Sequence, residues 1–181
     1  MLKLKVTIAA RLFDPHGKLI RTYRPRAAHS FLAQFIELLH AEMSSIATYV
    51  TMTNGVEGGY AAAGYNFRMA APASNLAYGI LIGSGDTPVD INDYALETNI
   101  AANLTASVHA YVLSYPTPQS RRVAISRTFI NALASPMPIE EVAIYSLDGS
   151  ARYTCLDRTL YSISIPASSS LELTYRITVS V

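Results

Sequence analysis

Residues 170–181 read Ser-Leu-Glu-Leu-Thr-Tyr-Arg-Ile-Thr-Val-Ser-Val. Apolar side chains occupy every second position of this stretch, from Leu171 to Val181, and polar side chains occupy the positions between them. A period of two is typical of a β-strand that has one buried and one solvated face. The stretch therefore predicts a long strand, one face of which belongs to the hydrophobic core.

The same kind of pattern runs through the chain from residue 104 onward. Turn residues divide it into short segments, and Leu147-Asp148-Gly149-Ser150 is typical of a tight hairpin. Short strands separated by turns indicate a β-sandwich or a barrel. The predicted strands cover 105–115, 121–130, 139–147, 151–157, 159–165 and 170–181.

The first part of the chain predicts a β-hairpin and then a helix. Residues 2–12 alternate, Asp14-Pro15-His16-Gly17 supplies a turn, and 18–24 return as a second strand. Over 30–43 the apolar residues recur at helical spacing, and Ser30 is the expected N-cap. The predicted fold is mainly β: one domain of residues 1–181, an antiparallel β-sandwich, jelly-roll-like, with this helix packed on it.

Residues 44–76 are the least regular part of the chain. Asn54-Gly55 and Gly58-Gly59 interrupt them, although 48–52 could form a short strand. Long loops in compact domains are usually functional or disordered, and this one is too apolar for a solvated linker. We expect this segment to be an arm that becomes ordered through contacts between subunits. The residues expected to make these assembly contacts are Tyr60, Tyr65, Phe67 and Met69. Residues 77–83 follow as a buried strand.

Composition narrows the range of functions. Half of the residues are hydrophobic and 15% are charged, against about 25% in typical soluble domains. This favours a surface partly covered by partner subunits, and the alternative is a compact, thermally stable monomer. A net charge of +1 argues against nucleic acid as a partner. We expect no signal peptide, no membrane span and synthesis in a cytoplasm.

Residues that could carry chemistry form no recognisable constellation. The four histidines, His16, His29, His40 and His109, lack metal-ligand spacing. Gly83-Ser84-Gly85-Asp86 resembles a phosphate loop only superficially, since no Gly-Lys-Ser/Thr follows. Cys155 lies in a strand and is expected to be a small buried apolar residue. We therefore predict no catalytic residue, no cofactor and no enzymatic activity.

Three aspartates come closest to a cation site. Asp86, Asp90 and Asp93 lie near one another, and hard cations favour such oxygen clusters. The spacing is not that of an EF-hand, however, so we expect no metal there. The structural interpretation is that Asp86 forms an Asx turn that holds the loop 84–99.

Arg127 is expected to be a buried structural residue. It alternates in phase with Val123, Ile125 and Phe129, which places it on the inner face of its strand. A buried charge without a partner is very costly, so a carboxylate should pair with it. The candidates are Glu97, Glu140, Glu141 and Asp157, and we predict an ion pair between Arg127 and Glu140 or Glu141.

One set of motifs spans the second half of the chain. The motifs are Gly83-Ser84-Gly85-Asp86-Thr87-Pro88, Asp93–Glu97, Ser126-Arg127-Thr128-Phe129-Ile130-Asn131, Pro138–Tyr145, Leu156–Leu160 and Ile165–Leu171. Together they resemble motifs of small virion-associated structural proteins of tailed phages and prophage-like elements, often from thermophiles. The resemblance leaves out residues 44–76, and it implies a β-sandwich subunit of a head or tail that assembles with itself and with other virion proteins.

Two other functions remain open at this point. A carbohydrate- or host-surface-binding sandwich could use some of the twelve tyrosines as stacking surfaces, although the absence of tryptophan argues against sugars. An enzyme on a jelly roll would need a pocket where histidines and carboxylates converge. A virion subunit acting through protein–protein contacts, with neither nucleic acid nor membrane as its partner, is the function that the sequence favours.

Overall fold

A computed structural model describes residues 3–28, 32–44, 47–60 and 66–180 of the 181-residue chain. Strands dominate these ranges, and a single helix interrupts them. In chain order the elements are β1 (Lys3–Phe13), β2 (Leu19–Ala27), α1 (Ala33–Ser44), β3 (Thr48–Thr51), β4 (Glu57–Tyr60), β5 (Gly79–Gly83), β6 (Leu104–Ala106), β7 (Ala110–Ser114), β8 (Ser120–Asn131), β9 (Met137–Leu147), β10 (Tyr153–Ile165) and β11 (Ser170–Ser180).

The strands form three antiparallel sheets. The large sheet has the order β2-β1-β11-β8, and β6 and β7 pair with successive parts of β8 at its far edge. The small sheet has the order β10-β9-β5, and β3 and β4 form a separate hairpin. The chain is therefore mainly β with a β-sandwich-like fold and one helix, which confirms the predicted fold class.

One face of the large sheet lies against the core because apolar and polar side chains alternate along its strands. Leu171, Leu173 and Tyr175 of β11 are fully buried, while the intervening residues are partly exposed. Ile8 of β1 and Phe129 of β8 lie in the same cluster as these three. Each such side chain contributes about 1.5–3 kcal/mol on burial, so this face supplies much of the stability.

The small sheet is buried on both faces. Ile82 and Val142 pack toward the large sheet in the main hydrophobic cluster. Leu81, Ala143 and Cys155 lie in a second cluster on the opposite face. The other buried members of that cluster are Leu32 just before α1, Ala71 and Tyr78 before β5, Leu96 in the loop 84–99, and Tyr145 of β9. Burial on both sides explains the unbroken apolar run of β5.

Helix α1 spans Ala33–Ser44, and the predicted N-cap Ser30 lies outside the described residues. Leu38 and Ala41 are fully buried, and the helix contacts β3 and β10. No helix in the described part of the chain has the length and apolar character that crossing a bilayer requires.

The short strand considered at 48–52 is present as β3, and it forms a hairpin with β4, which lies in a part of 44–76 that was expected to be irregular. Asn54 Oδ1 accepts the Val56 N–H at 3.0 Å, and Gly55 adopts a φ of 78° in the turn. Two glycines in β4 obscured this strand, since glycine has low strand propensity.

Two strand boundaries also differ from the prediction. The predicted strands 151–157 and 159–165 form one strand, β10, with a register shift between Cys155 and Asp157. The predicted strand 105–115 is divided into β6 and β7. His109 lies in the interruption and leaves the sheet to contact β5.

Candidate functional site

Arg127 joins the two sheets through backbone carbonyl groups. Its side chain is 1% exposed and projects from β8 toward β5 and the segment 72–80. Desolvation lowers the pKa of the guanidinium to about 10, which leaves it charged at neutral pH. Its N–H groups donate to the carbonyl oxygens of Asn75 at 2.6 Å, Ile80 at 3.0 Å, Ser107 at 3.2 Å, Pro72 at 3.3 Å and Tyr78 at 3.4 Å.

The predicted ion pair of Arg127 with Glu140 or Glu141 is therefore corrected. Arg127 is buried on the inner face as predicted, but five carbonyl dipoles solvate its charge. Glu141 pairs with Arg158 instead, and Glu140 is a half-buried residue of β9. The carbonyl groups can serve this role because several come from a non-strand segment, 72–78, whose oxygens are not used in a sheet.

His109 completes the cap on the free side of β5. Its Nε2 accepts the Ile80 N–H at 2.9 Å, and its Nδ1 lies 3.3 Å from the Ala71 carbonyl oxygen, so Nδ1 carries the proton. Burial, with the nearby charge of Arg127, lowers the pKa of His109 to about 4. The neutral His109 ring thus accepts the Ile80 N–H, and Arg127 donates to the Ile80 carbonyl oxygen, so both backbone groups of Ile80 are hydrogen-bonded.

A second buried arginine organises the loop 84–99. The Arg158 Nε donates to Glu141 Oε2 at 2.6 Å, and both side chains are almost completely buried. Arg158 Nη1 binds Asp93 at 2.7 Å, and Nη2 donates to the Thr87 carbonyl oxygen at 3.1 Å. Glu97 lies 3.6 Å from the same Nη2. The Nε, Nη1 and Nη2 atoms of Arg158 are thus each in contact with groups of the same chain.

Glu141 occupies the glycine-rich turn that resembles a phosphate loop. Its carboxylate accepts the N–H groups of Gly85, Glu97 and Thr98 at 3.1, 3.2 and 2.9 Å. A Cβ atom on Gly83 would lie 2.4 Å from Glu141 Oε1, and one on Gly85 2.8 Å from it. The turn therefore holds an anion, but the anion is a side chain of the same protein.

Sequence reasoning missed the pairing of Glu141 with Arg158. Each residue stands beside another charged residue, Glu141 after Glu140 and Arg158 after Asp157, so the sequence does not single out this pair. The contact depends on the register of β9 against β10, in which Arg158 lies opposite Ala143 and Leu160 lies opposite Glu141.

Of the three aspartates, Asp90 and Asp93 have side-chain partners within the protein. Asp90 Oδ1 accepts the Asn92 N–H at 2.8 Å, so the Asx turn lies at Asp90 and not at Asp86 as predicted. Asp93 Oδ2 binds Arg158 and accepts the Asp90 N–H. Within the described ranges, no group of three or more His, Cys, Asp or Glu side chains is arranged to hold a metal ion.

The predicted assembly contacts pack within the protein. Tyr60 is 1% exposed, donates to or accepts from Thr154 Oγ1 at 3.0 Å, and lies under the guanidinium of Arg152. Phe67 packs edge-on against Phe35 with ring centroids 5.8 Å apart. Met69 packs against the main core, and Tyr65 lies outside the described residues. Tyr60 therefore has almost no surface left for a contact between subunits, whereas Phe67 and Met69 are only partly buried, and their assignment as assembly contacts stays a prediction.

The remaining candidate residues have simple environments. Cys155 is fully buried, its Sγ lies 3.5 Å from the Asp157 carbonyl oxygen, and burial raises the pKa of its thiol well above the usual value. His16 lies in the β1–β2 turn, where its N–H donates to Asp14 Oδ1. His40 is exposed near the end of α1, with Nδ1 2.8 Å from Thr48 Oγ1, and His29 lies outside the described residues.

Three of the four edges of the large and small sheets are protected over at least part of their length, each in a different way. The β2 edge carries exposed Arg21, Arg24 and Arg26 together with Pro25, and charges and proline discourage further strand pairing. His109, Arg127 and a bridge from Gly83 to Asn99 cap β5. The β3–β4 hairpin and α1 cover the first half of β10, where the Thr53 and Leu32 N–H groups donate to its carbonyls.

The fourth edge, Ala110–Ser114 of β7, is open, and we refer to it as the β7 edge. It pairs with β8 on one side, and no other described strand pairs with it. Val112 and Leu113 are 58% and 61% exposed, and the edge contains neither a charge nor a proline. Apolar exposure continues beyond it at Tyr115. Open apolar edges of this kind pair readily with another chain.

Comparison of the chain with protein-family models, with curated proteins and with solved structures gives no match. The comparisons thus assign neither a family nor a function. The functional argument below starts from the geometry of the β7 edge.

Replacing Arg127 with methionine should strongly destabilise the protein. The substitution leaves five inward-facing carbonyl groups without their donor, and we expect the free energy of unfolding to fall by about 3–5 kcal/mol. The exposed Arg121 of the same strand is the matched control, and Arg121→Met should change stability by less than about 0.5 kcal/mol. Urea unfolding followed by circular dichroism measures both. Equal stability of the Arg127→Met and Arg121→Met variants would contradict the role of the carbonyl cluster.

The low pKa of His109 predicts a loss of stability in acid. Unfolded histidine binds a proton near pH 6.5 and folded His109 only near pH 4, so stability is full above about 6.5 and falls between these values by about 3 kcal/mol. In His109→Gln, the amide oxygen can still accept the Ile80 N–H but cannot titrate. We expect a shallower pH dependence of urea unfolding in this variant, and an unchanged one in His16→Gln. Parallel curves for all three proteins would rule out His109 as the cause.

Proposed function

We propose that this protein is a non-enzymatic structural subunit of a larger protein assembly, a virion of the tailed-phage type, in which it serves as a capsid decoration or a tail or baseplate subunit. The observation that carries the proposal is the β7 edge. Among the edges of the large and small sheets compared above, it is the one for which neither charge, proline nor covering chain is described, and its residues are uncharged and mostly apolar.

An open apolar edge is a disadvantage for a protein that functions as a monomer. Unpaired N–H and C=O groups beside exposed valine and leucine promote association, and monomeric proteins blunt such edges with charges or proline. This chain does so at β2, with arginines and Pro25, but not at β7. The contrast within one sheet supports a role for the β7 edge in pairing with another chain.

The interior supports the same role. The carbonyl cluster around Arg127 and the pair of Arg158 with Glu141 tie the long connecting segments to the sheets. Segments held in this way keep one shape before and after association, which lowers the entropy cost of binding. A rigid body with one open strand fits an assembly subunit.

The step from an assembly subunit to a virion rests on the resemblance of sequence motifs. These motifs include the glycine turn that holds Glu141, the strand that carries Arg127 and the Asp157-Arg158 segment of β10. They build the framework of the fold, and the proposed partners are further copies and other virion proteins. Synthesis in a host cytoplasm followed by incorporation into the particle belongs to the same proposal.

A carbohydrate- or host-surface-binding module is the second candidate. A hollow of about 450 Å³ lies on the outer face of the large sheet, and its lining includes Arg11, Glu172 and Arg176. Charged side chains of both signs can bind the polar groups of a ligand by charge-assisted hydrogen bonds. This function would require binding by the isolated monomer, whereas an assembly subunit requires contact between chains.

The first test is the mass of the protein in solution. We expect a mass above the 19.6 kDa of one chain that rises with concentration, and a monomer for Val112→Lys, because a charge on the edge opposes strand pairing. Val56, an exposed apolar residue of the β3–β4 turn, is the control, and Val56→Lys should behave as the unchanged protein. Light scattering measures all three. Point substitutions are preferable to deletion of 44–76, which would remove the buried Val50 and Tyr60.

The second test addresses the virion itself. Lysates of the source cells are separated on a density gradient, and an antibody against the chain locates it. We expect the protein in the fractions that hold heads or tails. Recovery of all of it at the top of the gradient, in a lysate that contains intact particles, would contradict the virion proposal.

A further inference from the structure

We propose that the β7 edge binds a second copy of this chain, and that two β7 strands pair antiparallel about a two-fold axis through Val112. This inference rests on the proposed function and names the partner. The β7 edge has a sequence that is symmetric in size about its centre: Ala110, Tyr111, Val112, Leu113 and Ser114. Small residues stand at both ends, large apolar residues next to them, and a valine in the middle.

The symmetry makes the strand complementary to itself. With Val112 opposite Val112 of the second copy, Tyr111 lies opposite Leu113 and Ala110 lies opposite Ser114. Aromatic–aliphatic and β-branched pairs are favourable across antiparallel strands. The exposure of Tyr111, Val112 and Leu113, 46% to 61%, leaves their apolar surface available for such contacts.

Charge favours an antiparallel pair of identical strands. The β7 edge carries no charge, so it has nothing to attract a partner of opposite sign. The nearest cation in register is Arg122 of β8, which lies beside Ser114 at one end of the edge. Two-fold antiparallel pairing places the Arg122 residues of the two copies at opposite ends of the paired strands. A parallel pair would bring them to the same end, where they repel each other.

The other end of the large sheet limits the assembly to two chains. Pairing through β7 joins the two large sheets into one, with a β2 strand at each outer end. Each β2 presents Arg21, Arg24, Pro25 and Arg26, which discourage further addition. The contact is isologous, because the same surface is used on both chains, and it therefore closes as a dimer and not as a fibre.

A cysteine at the axis tests the pairing directly. Directly opposed residues in antiparallel strands have Cα atoms about 4.5–5.5 Å apart, which is within the range of about 4.4–6.8 Å for disulfides. Val112→Cys should therefore form a covalent dimer on mild oxidation, seen on a non-reducing gel. Cys155 is buried and does not compete. Val56→Cys, equally exposed but remote from β7, should remain monomeric on the same gel.

Two further cysteine variants test the register in which the two β7 strands pair. Tyr111→Cys and Leu113→Cys should each cross-link poorly alone, because a residue and its own copy are then diagonal neighbours about 7–8 Å apart. In an equimolar mixture about half of the dimers contain one copy of each variant, with the two cysteines directly opposed, so the mixture should cross-link about half as fast as Val112→Cys and far faster than either variant alone. Circular dichroism of each variant establishes that it is folded.

The outcomes separate this inference from the function on which it rests. If the protein assembles but Val112→Cys does not cross-link and Val112→Lys still assembles, the two-fold pairing is overturned and a structural subunit with another interface remains. A monomer at every concentration also overturns the pairing. Co-sedimentation with particles then decides whether the subunit instead requires a foreign lattice. Cross-linking of Tyr111→Cys alone, at the expense of Val112→Cys, would overturn the register.

Discussion

The charge of Arg127 is the constraint around which the two sheets are joined. A guanidinium removed from water must be solvated by the protein, and here five backbone oxygens do so. Four of these oxygens belong to residues 72–80, so this segment cannot leave the large sheet without exposing a buried charge to an apolar core. A hydrophobic residue at this position would fill the space but would not specify where the segment lies.

Arg158 works by the same principle on the other face of the small sheet. It is matched by a carboxylate, and Glu141 in turn accepts three backbone N–H groups of the loop 84–99. Two arginines thus take the place of the regular hydrogen bonds that strands would supply. Arg127 binds carbonyl groups directly, and Arg158 acts through Glu141, which accepts N–H groups. Together they explain how the β5 edge and the outer face of the three-stranded sheet are covered by chain that is largely without secondary structure.

Much of this fold could be predicted from local patterns. Alternation located β1, β8, β9 and β11, and Asp14-Pro15-His16-Gly17 located the first hairpin, because each signal depends on neighbouring residues. The partners of Arg127 could not be predicted, since they depend on which loop passes it in space. The β4 strand was hidden by its glycines. Apolar residues such as Tyr60 show burial but not whether the burial lies in a core or in an interface.

The open edge illustrates a further limit of sequence reasoning. Residues 105–115 were recognised as a strand, but alternation carries no information on whether a strand has one neighbour or two. Position in a sheet follows from topology, and the topology places β7 beside β8 alone. The candidate site therefore emerged from comparing the four edges of the sheets, each with its own degree of protection, and not from any residue that chemistry alone would single out.

The position of β11 has a consequence for biosynthesis. This strand lies between β1 and β8, so that Leu4 pairs with Val179 and Thr178 pairs with Arg122. The large sheet therefore cannot close until residues through 180 have left the ribosome, and β7 has no completed sheet to extend before then. Such long-range pairing slows folding. It also means that the β7 strand is made well before the edge it forms is complete, which separates the synthesis of this strand in time from association between chains.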